Sequence, residues 1–199
     1  MPAEDPVLEV IEEGECYRIA REAGFGPAVP YGSILRTNDS SNYGFIDLRG
    51  NLAAVELIPE ARDCPGLQEF LRTINAPSSP LMSLGCDHRL EKLSDTWEGG
   101  PKSCQHSYVD IAYVNPERGH LEQNLIDLAR WIVAKMALQP SNWIQLHLVP
   151  QRMRHFFGDT DCFNLAIWIA ANGYDDNHAT EQLNLTYQRL ASFITKTGA

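Results

Sequence analysis

Asp110 and His147 are the residues of this chain best suited to acid–base chemistry. A carboxylate beside an imidazole raises its pKa and fixes its tautomer, as a general acid–base pair requires. Each lies within a run of alternating apolar residues, "SYVDIAY" and "WIQLHLV". Along a strand, successive side chains point to opposite faces. If Val55, Leu57, Val109, Ile111, Ile144, Leu146 and Leu148 turn toward a helical layer, the other face presents a mixed set. It holds Ala54, Glu56 and Ile58, then Tyr108, Asp110 and Ala112, then Trp143, Gln145, His147 and Val149. Asn164 and Trp168 of "CFNLAIWIAA" and Asp47 of "FIDLRG" are candidates to join them. The expected binding set is Glu56, Tyr108, Asp110, Trp143, Gln145, His147, Asn164 and Trp168. Carboxylates and imidazole beside aromatic walls suit a polar ligand. The same composition serves a solvated sheet face or a surface that docks a protein.

A second constellation is the pair of Cys-x-His dipeptides Cys86/His88 and Cys104/His106, about the turn signal Gly99-Gly100. Zinc takes four thiolate or imidazole ligands in tetrahedral geometry. In an antiparallel hairpin, opposed residues share a face and their numbers sum to a constant. An even sum of 192 sets Cys86 against His106 and His88 against Cys104, which builds a tetrad. A two-residue Gly-Gly loop pairs Glu98 with Pro101, and its odd sum sends the two pairs to opposite faces. The turn chemistry therefore argues against a metal site. Cysteine nucleophilic catalysis is also disfavoured, because neighbours on one strand project in parallel and no third acidic member is identifiable.

Other chemical signatures are missing. The chain has no phosphate loop, dinucleotide fingerprint, H-E-x-x-H or G-x-S-x-G, so no cofactor is expected. "GFGPAVPYG" carries glycines in a proline-broken linker, and "GDTDC", with Asp159 and Asp161, lacks the glycine and final glutamate of a calcium loop.

The 199 residues carry 16 basic and 26 acidic side chains, a net charge of −10. Such a chain repels phosphate backbones, and "QRMRHFF" is too short to act as a nucleic-acid stripe. An acidic surface instead favours a basic protein partner, as in inhibitor- or immunity-like proteins, where steering charge raises the association rate. Five widely spaced cysteines argue for reduced thiols. The acidic start "MPAEDPVLEVIEEGE" lacks the basic and apolar regions of a secretory signal, and no apolar run is long enough to cross a membrane. A cytoplasmic location is expected.

The elements that must position these residues follow from periodicity. Asp5-Pro6 is a helix start, and Val7, Leu8, Val10, Ile11, Ile19, Ala20 and Ala23 read as one or two helices ending at Gly24. Residues 1–30 are thus expected to form an N-terminal helical arm and linker, and 31–199 a single α+β domain. "YGSILRT", "YGFIDLRG" and "NLAAVELIP" read as strands. Leu67, Phe70, Leu71 and Ile74 mark a helix, as do Leu121, Leu125, Leu128, Ile132 and Met136, and later Leu183, Tyr187, Leu190 and Ile194. Strands are expected over 81–92, 105–114, "WIQLHLV" and "CFNLAIWIAA". The order fits a mixed or antiparallel sheet with helices on one face, related to the ferredoxin-like split βαβ arrangement. The helices beginning at His120 and near His178 are faintly similar, each following a strand.

The expected function is that of an acidic binding protein docking a basic macromolecular partner. The alternative is a small-molecule enzyme or ligand binder working on the polar sheet face.

Overall fold

A computed structural model describes residues 8–22, 25–35, 41–42, 44–94, 97–137, 143–154, 156–158 and 162–196. Asp5-Pro6, Val7, Ala23, Gly24, Asp159 and Asp161 lie outside them. The described chain is mixed α+β, with a seven-stranded sheet and helices packed on one of its faces.

The N-terminal segment corrects the helical expectation. Leu8–Gly14 is a strand (β1) that pairs antiparallel with Tyr17–Glu22 (β2). β-branched Val10, Ile11 and Ile19 favour extended backbone, and the deciding contact is remote: β2 lies parallel to Ile144–Arg154. Ion pairs Arg18–Glu13 and Arg21–Glu9 link the hairpin strands, while Arg21–Glu122 and Arg130–Glu12 tie the hairpin to a helix.

Next come three short strands: Phe25–Ala28 (β3), Ile34–Leu35 (β4) and Ser41–Asn42 (β5). β4 and β5 form a small separate ladder. "NLAAVELIP" is not a strand. Leu52–Leu57 is a 3₁₀ helix, closed by Ala54 N–H donating to Asn51 O and Ile58 N–H to Val55 O. Pro59–Arg62 (α1) follows at once. Ala, Leu and Glu tolerate helical turns, so an alternating pattern over so short a run does not decide the conformation.

Pro65–Ile74 (α2) begins with proline in its first turn and buries Leu67, Phe70, Leu71 and Ile74. Then come Leu81–Lys92 (β6), Ser103–Tyr113 (β7), Pro116–Gly119 (α3) and Glu122–Met136 (α4). Ile144–Arg154 (β8), Phe163–Gly173 (β9) and Asp176–Ile194 (α5) close the chain. Asp175 caps α5 by accepting from His178 N–H at 2.9 Å.

The sheet order is β1-β2-β8-β9-β7-β6, with β3 also on β8. β7 and β8 both run antiparallel to β9, which lies between them, and α4 connects them. The complete ferredoxin-like arrangement is not reproduced. β6 precedes β7 in the chain, and β2 and β3 add parallel to the far edge of β8. Pro150 falls between the β8 residues paired to β2 and those paired to β3, where its missing N–H costs no ladder bond on that side. Two ββα halves, β6-β7-α4 and β8-β9-α5, meet at the β7–β9 ladder. Leu125, Ala129, Ile132 and Met136 on α4 match Leu183, Tyr187, Leu190 and Ile194 on α5 in spacing and burial.

The main core lies between the sheet and α2, α4 and α5. It includes Val109, Ile111, Leu146, Leu148, Leu165, Ile167, Phe70, Leu125, Ile132 and Tyr187. A smaller apolar cluster of Val29, Met82, Leu84, Ala112, Met153, Phe156 and Cys162 covers one end of the opposite face. Tyr31 and Phe45 pack onto it, and Phe45 and Phe156 both meet Phe157 edge to face. The other end of that face stays open.

Candidate functional site

Register across the strands defines the open end. Tyr108 on β7 opposes Trp168 on β9, and Trp168 opposes His147 on β8. Arg18 of β2 lies beyond His147, and Asp87 of β6 beyond Tyr108. The next row toward the β6–β7 connection is Arg89, His106, Ala170 and Gln145. Tyr108, Asp110, Gln145, His147, Asn164 and Trp168 all therefore lie on the face away from the helices.

Glu56 does not belong to this set. It sits on the 3₁₀ helix, exposed, where it bonds Gln68 Nε2 and pairs with Arg72 of α2. Asp47 also lies off the sheet, accepting from Arg49 N–H in a loop. Trp143 precedes β8 and packs 4.4 Å from the ring of Tyr174 and 5.0 Å from that of His178, at the start of α5.

Asp110 and His147 are not brought together. β9 runs between their strands, and Trp168 occupies the neighbouring row. Asp110 opposes Gly85 on one side and Ala166 on the other, and accepts from Asn164 Nδ2 at 3.2 Å. A Cβ on Gly85 would come within 2.8 Å of the Tyr31 hydroxyl, so glycine there lets Tyr31 close over this corner and donate to Leu84 O at 3.0 Å. Burial with no compensating cation pushes the Asp110 carboxyl up to about 7. Burial and the Asp110 charge push the Tyr31 phenol up to about 12. Below Asp110, the buried Asn164 also donates to Gln151 Oε1, and Gln151 donates to Glu22 at 2.6 Å. This is a polar seam beneath the small apolar cluster and separate from the open end.

The open end holds a groove of about 390 Å³ between β8, β9 and the β1–β2 turn. Trp168 forms one wall, 44 % exposed, with Tyr108 behind it at a ring separation of 4.7 Å. Among the lining residues are Ala170, Gln145, His106 and His147, with Glu13, Glu15 and Arg18 from the hairpin. His147 Nε2 is buried and has no hydrogen-bond partner among the described residues. Burial holds the His147 imidazole below its ordinary pKa, Arg18 lowers it further, and Glu22 opposes the shift. Arg18 is itself engaged, its Nε and Nη2 donating to Glu13 Oε1 at 2.9 and 2.5 Å.

No family model matches the chain, and no curated protein or solved structure does either.

The two Cys-x-His pairs lie on opposite faces. Cys86 opposes Val109 and His88 opposes Ser107, an odd sum of 195, while Cys104 opposes Glu91 and His106 opposes Arg89. Cys86 and His88 turn toward the helices, where His88 Nε2 lies 2.9 Å from Glu60 O. His106 pairs with Glu91 on the other face. The connection is longer than a two-residue turn, beginning with Leu93 N–H donating to Lys102 O. A bulge between Ser83 and Gly85 changes the register from that of the Leu81–Tyr113 and Ser83–Ile111 pairs. Had that earlier register continued, all four ligands would share a face. No group of three or more His, Cys, Asp or Glu side chains among the described residues could hold a metal ion.

Local patterns do not mark three of the groove residues, Arg18, His106 and Ala170. Arg18 lies in a segment whose apolar spacing also suits a helix, His106 sits in a Cys-x-His spacing that suggests a metal ligand, and Ala170 carries no chemical group of its own.

Proposed function

We propose that this protein binds a small polar ligand in the groove on the open end of the sheet. The observation that carries this reading is the groove itself. An exposed indole, braced by Tyr108, lines it together with the small Ala170 and with His147, its cross-strand neighbour. Ligand sites combine apolar walls with a few convergent polar groups in volumes of roughly 300–1,000 Å³. Binding rather than acid–base catalysis is favoured because Trp168 and β9 keep Asp110 from His147.

A fragment screen by NMR, read at the Trp168 indole resonance, tests this reading. Fragments that shift the resonance in the native chain should lose their effect in Ala170→Leu, which fills the groove. If no fragment moves it, or if hits survive the substitution unchanged, the reading fails.

A second reading, an inhibitor- or immunity-like protein docking a basic partner, is favoured by the outer strand β6. Asp87 and Glu91 are exposed there beside Arg89 and Lys92, and Trp97 of the following connection is 62 % exposed. An exposed aromatic anchor near charged residues suits a docking surface. Binding of one defined basic protein, weakened by salt and abolished by Trp97→Ser, would support it. Partner binding indifferent to both would dismiss it.

A further inference from the structure

We infer that the groove beside Trp168 takes an organic cation, an amine, amidinium or guanidinium group on a flat or slender body. This rests on the ligand-binding reading above and specifies its chemical class.

The lining charges point to that class. Two carboxylates, Glu13 and Glu15, and one guanidinium, Arg18, face the groove. Arg18 Nε and Nη2 both donate to Glu13, so the Arg18 charge is matched within the hairpin. Glu15 is left with no side-chain partner among the described residues, and it is exposed at the mouth. His106 is occupied by Glu91 at 2.9 Å. His147 stays neutral at neutral pH, since burial and Arg18 both disfavour its charged form. No lysine lines the groove among the described residues.

The free groups at the mouth include the Glu15 carboxylate and the exposed Gln145 side-chain amide, whose carbonyl oxygen accepts. A ligand that carries positive charge and N–H donors meets both. The indole adds a separate preference. Tyr108 covers one side of Trp168 and the groove lies on another, so a cation there meets the electron-rich ring. An anion would meet unpaired Glu15 and the field of a chain with net charge −10.

Three isosteric probes test the class: benzamidine, benzamide and benzoate, each titrated against the intact chain and followed at the Trp168 indole resonance. Benzamidine should bind saturably and more tightly than benzamide, and its affinity should fall as salt rises. Trp168→Leu, followed by calorimetry, should weaken it about tenfold, and Trp168→Tyr should restore most of that loss. Glu15→Gln should weaken it about threefold. All three variants should keep native chemical-shift dispersion, since both side chains are exposed.

Benzoate binding as tightly as benzamidine would overturn the cation assignment while leaving a ligand groove in place. The assignment also falls if neutral fragments shift Trp168 and benzamidine does not. Benzamidine binding untouched by Trp168→Leu and by Glu15→Gln would place it elsewhere and would likewise overturn the assignment.

Discussion

Trp168 stands between Tyr108 and His147, opposing one across β7 and the other across β8. That single placement separates two environments on one sheet face. On one side Asp110 lies in a desolvated seam under Tyr31. On the other His147 looks into an open groove. A carboxylate and an imidazole that make natural partners in the linear chain thus do different things.

Asp110 should make stability depend on pH. Its carboxyl holds a proton up to about pH 7 in the folded chain, against an ordinary value of 3.8. Between those values the folded state binds more protons than the unfolded state. The stability this confers is full below pH 4 and is lost as pH rises through 7. The three-unit difference bounds the loss at about 4 kcal/mol. Urea unfolding at pH 5 and pH 8 should show this slope, and Asp110→Asn should flatten it. A slope unchanged in Asp110→Asn would mean that the carboxyl is solvated.

Gly66 should tolerate no side chain. A Cβ there would overlap the backbone of Asn184, where α2 lies against α5, and Gly66 N–H donates to Asn184 Oδ1 at 2.8 Å. Backbone cannot swing away as a side chain can. Gly66→Ala should lower stability by about 1–3 kcal/mol despite the better helix propensity of alanine. Chemical denaturation measures this directly, and a stabilised variant would contradict the packing.

Zinc should not stabilise the protein. Cys86 and His88 face the helices while Cys104 and His106 face the other way. A thermal melt with and without equimolar zinc should show the same midpoint. A rise abolished by both Cys86→Ser and Cys104→Ser would require another register.

The thiols of Cys64, Cys86 and Cys104 should resist alkylation. Burial raises all three pKa values, Cys104 to about 11, and the thiolate is the reactive form. Mass spectrometry after iodoacetamide treatment at pH 7.5 should find them unmodified in the folded chain and modified in urea.

Local pattern determined much of this protein. Helical spacing of Leu67, Phe70 and Ile74, and of Leu125, Ile132 and Met136, located α2 and α4. Strand alternation assigned Tyr108, Asp110, Gln145, His147, Asn164 and Trp168 to the face away from them. Both periods are properties of neighbouring residues, so they can be read along the chain. Only the tertiary structure decided what lies beside what. β2 became a strand because β8 offered it an edge, and Glu56 left the sheet because a short Ala- and Leu-rich stretch coiled. The insertion of β9 between β7 and β8 set Trp168, not Asp110, next to His147. Pairing between distant segments is a competition among backbone edges and buried faces, and no local period encodes its winner.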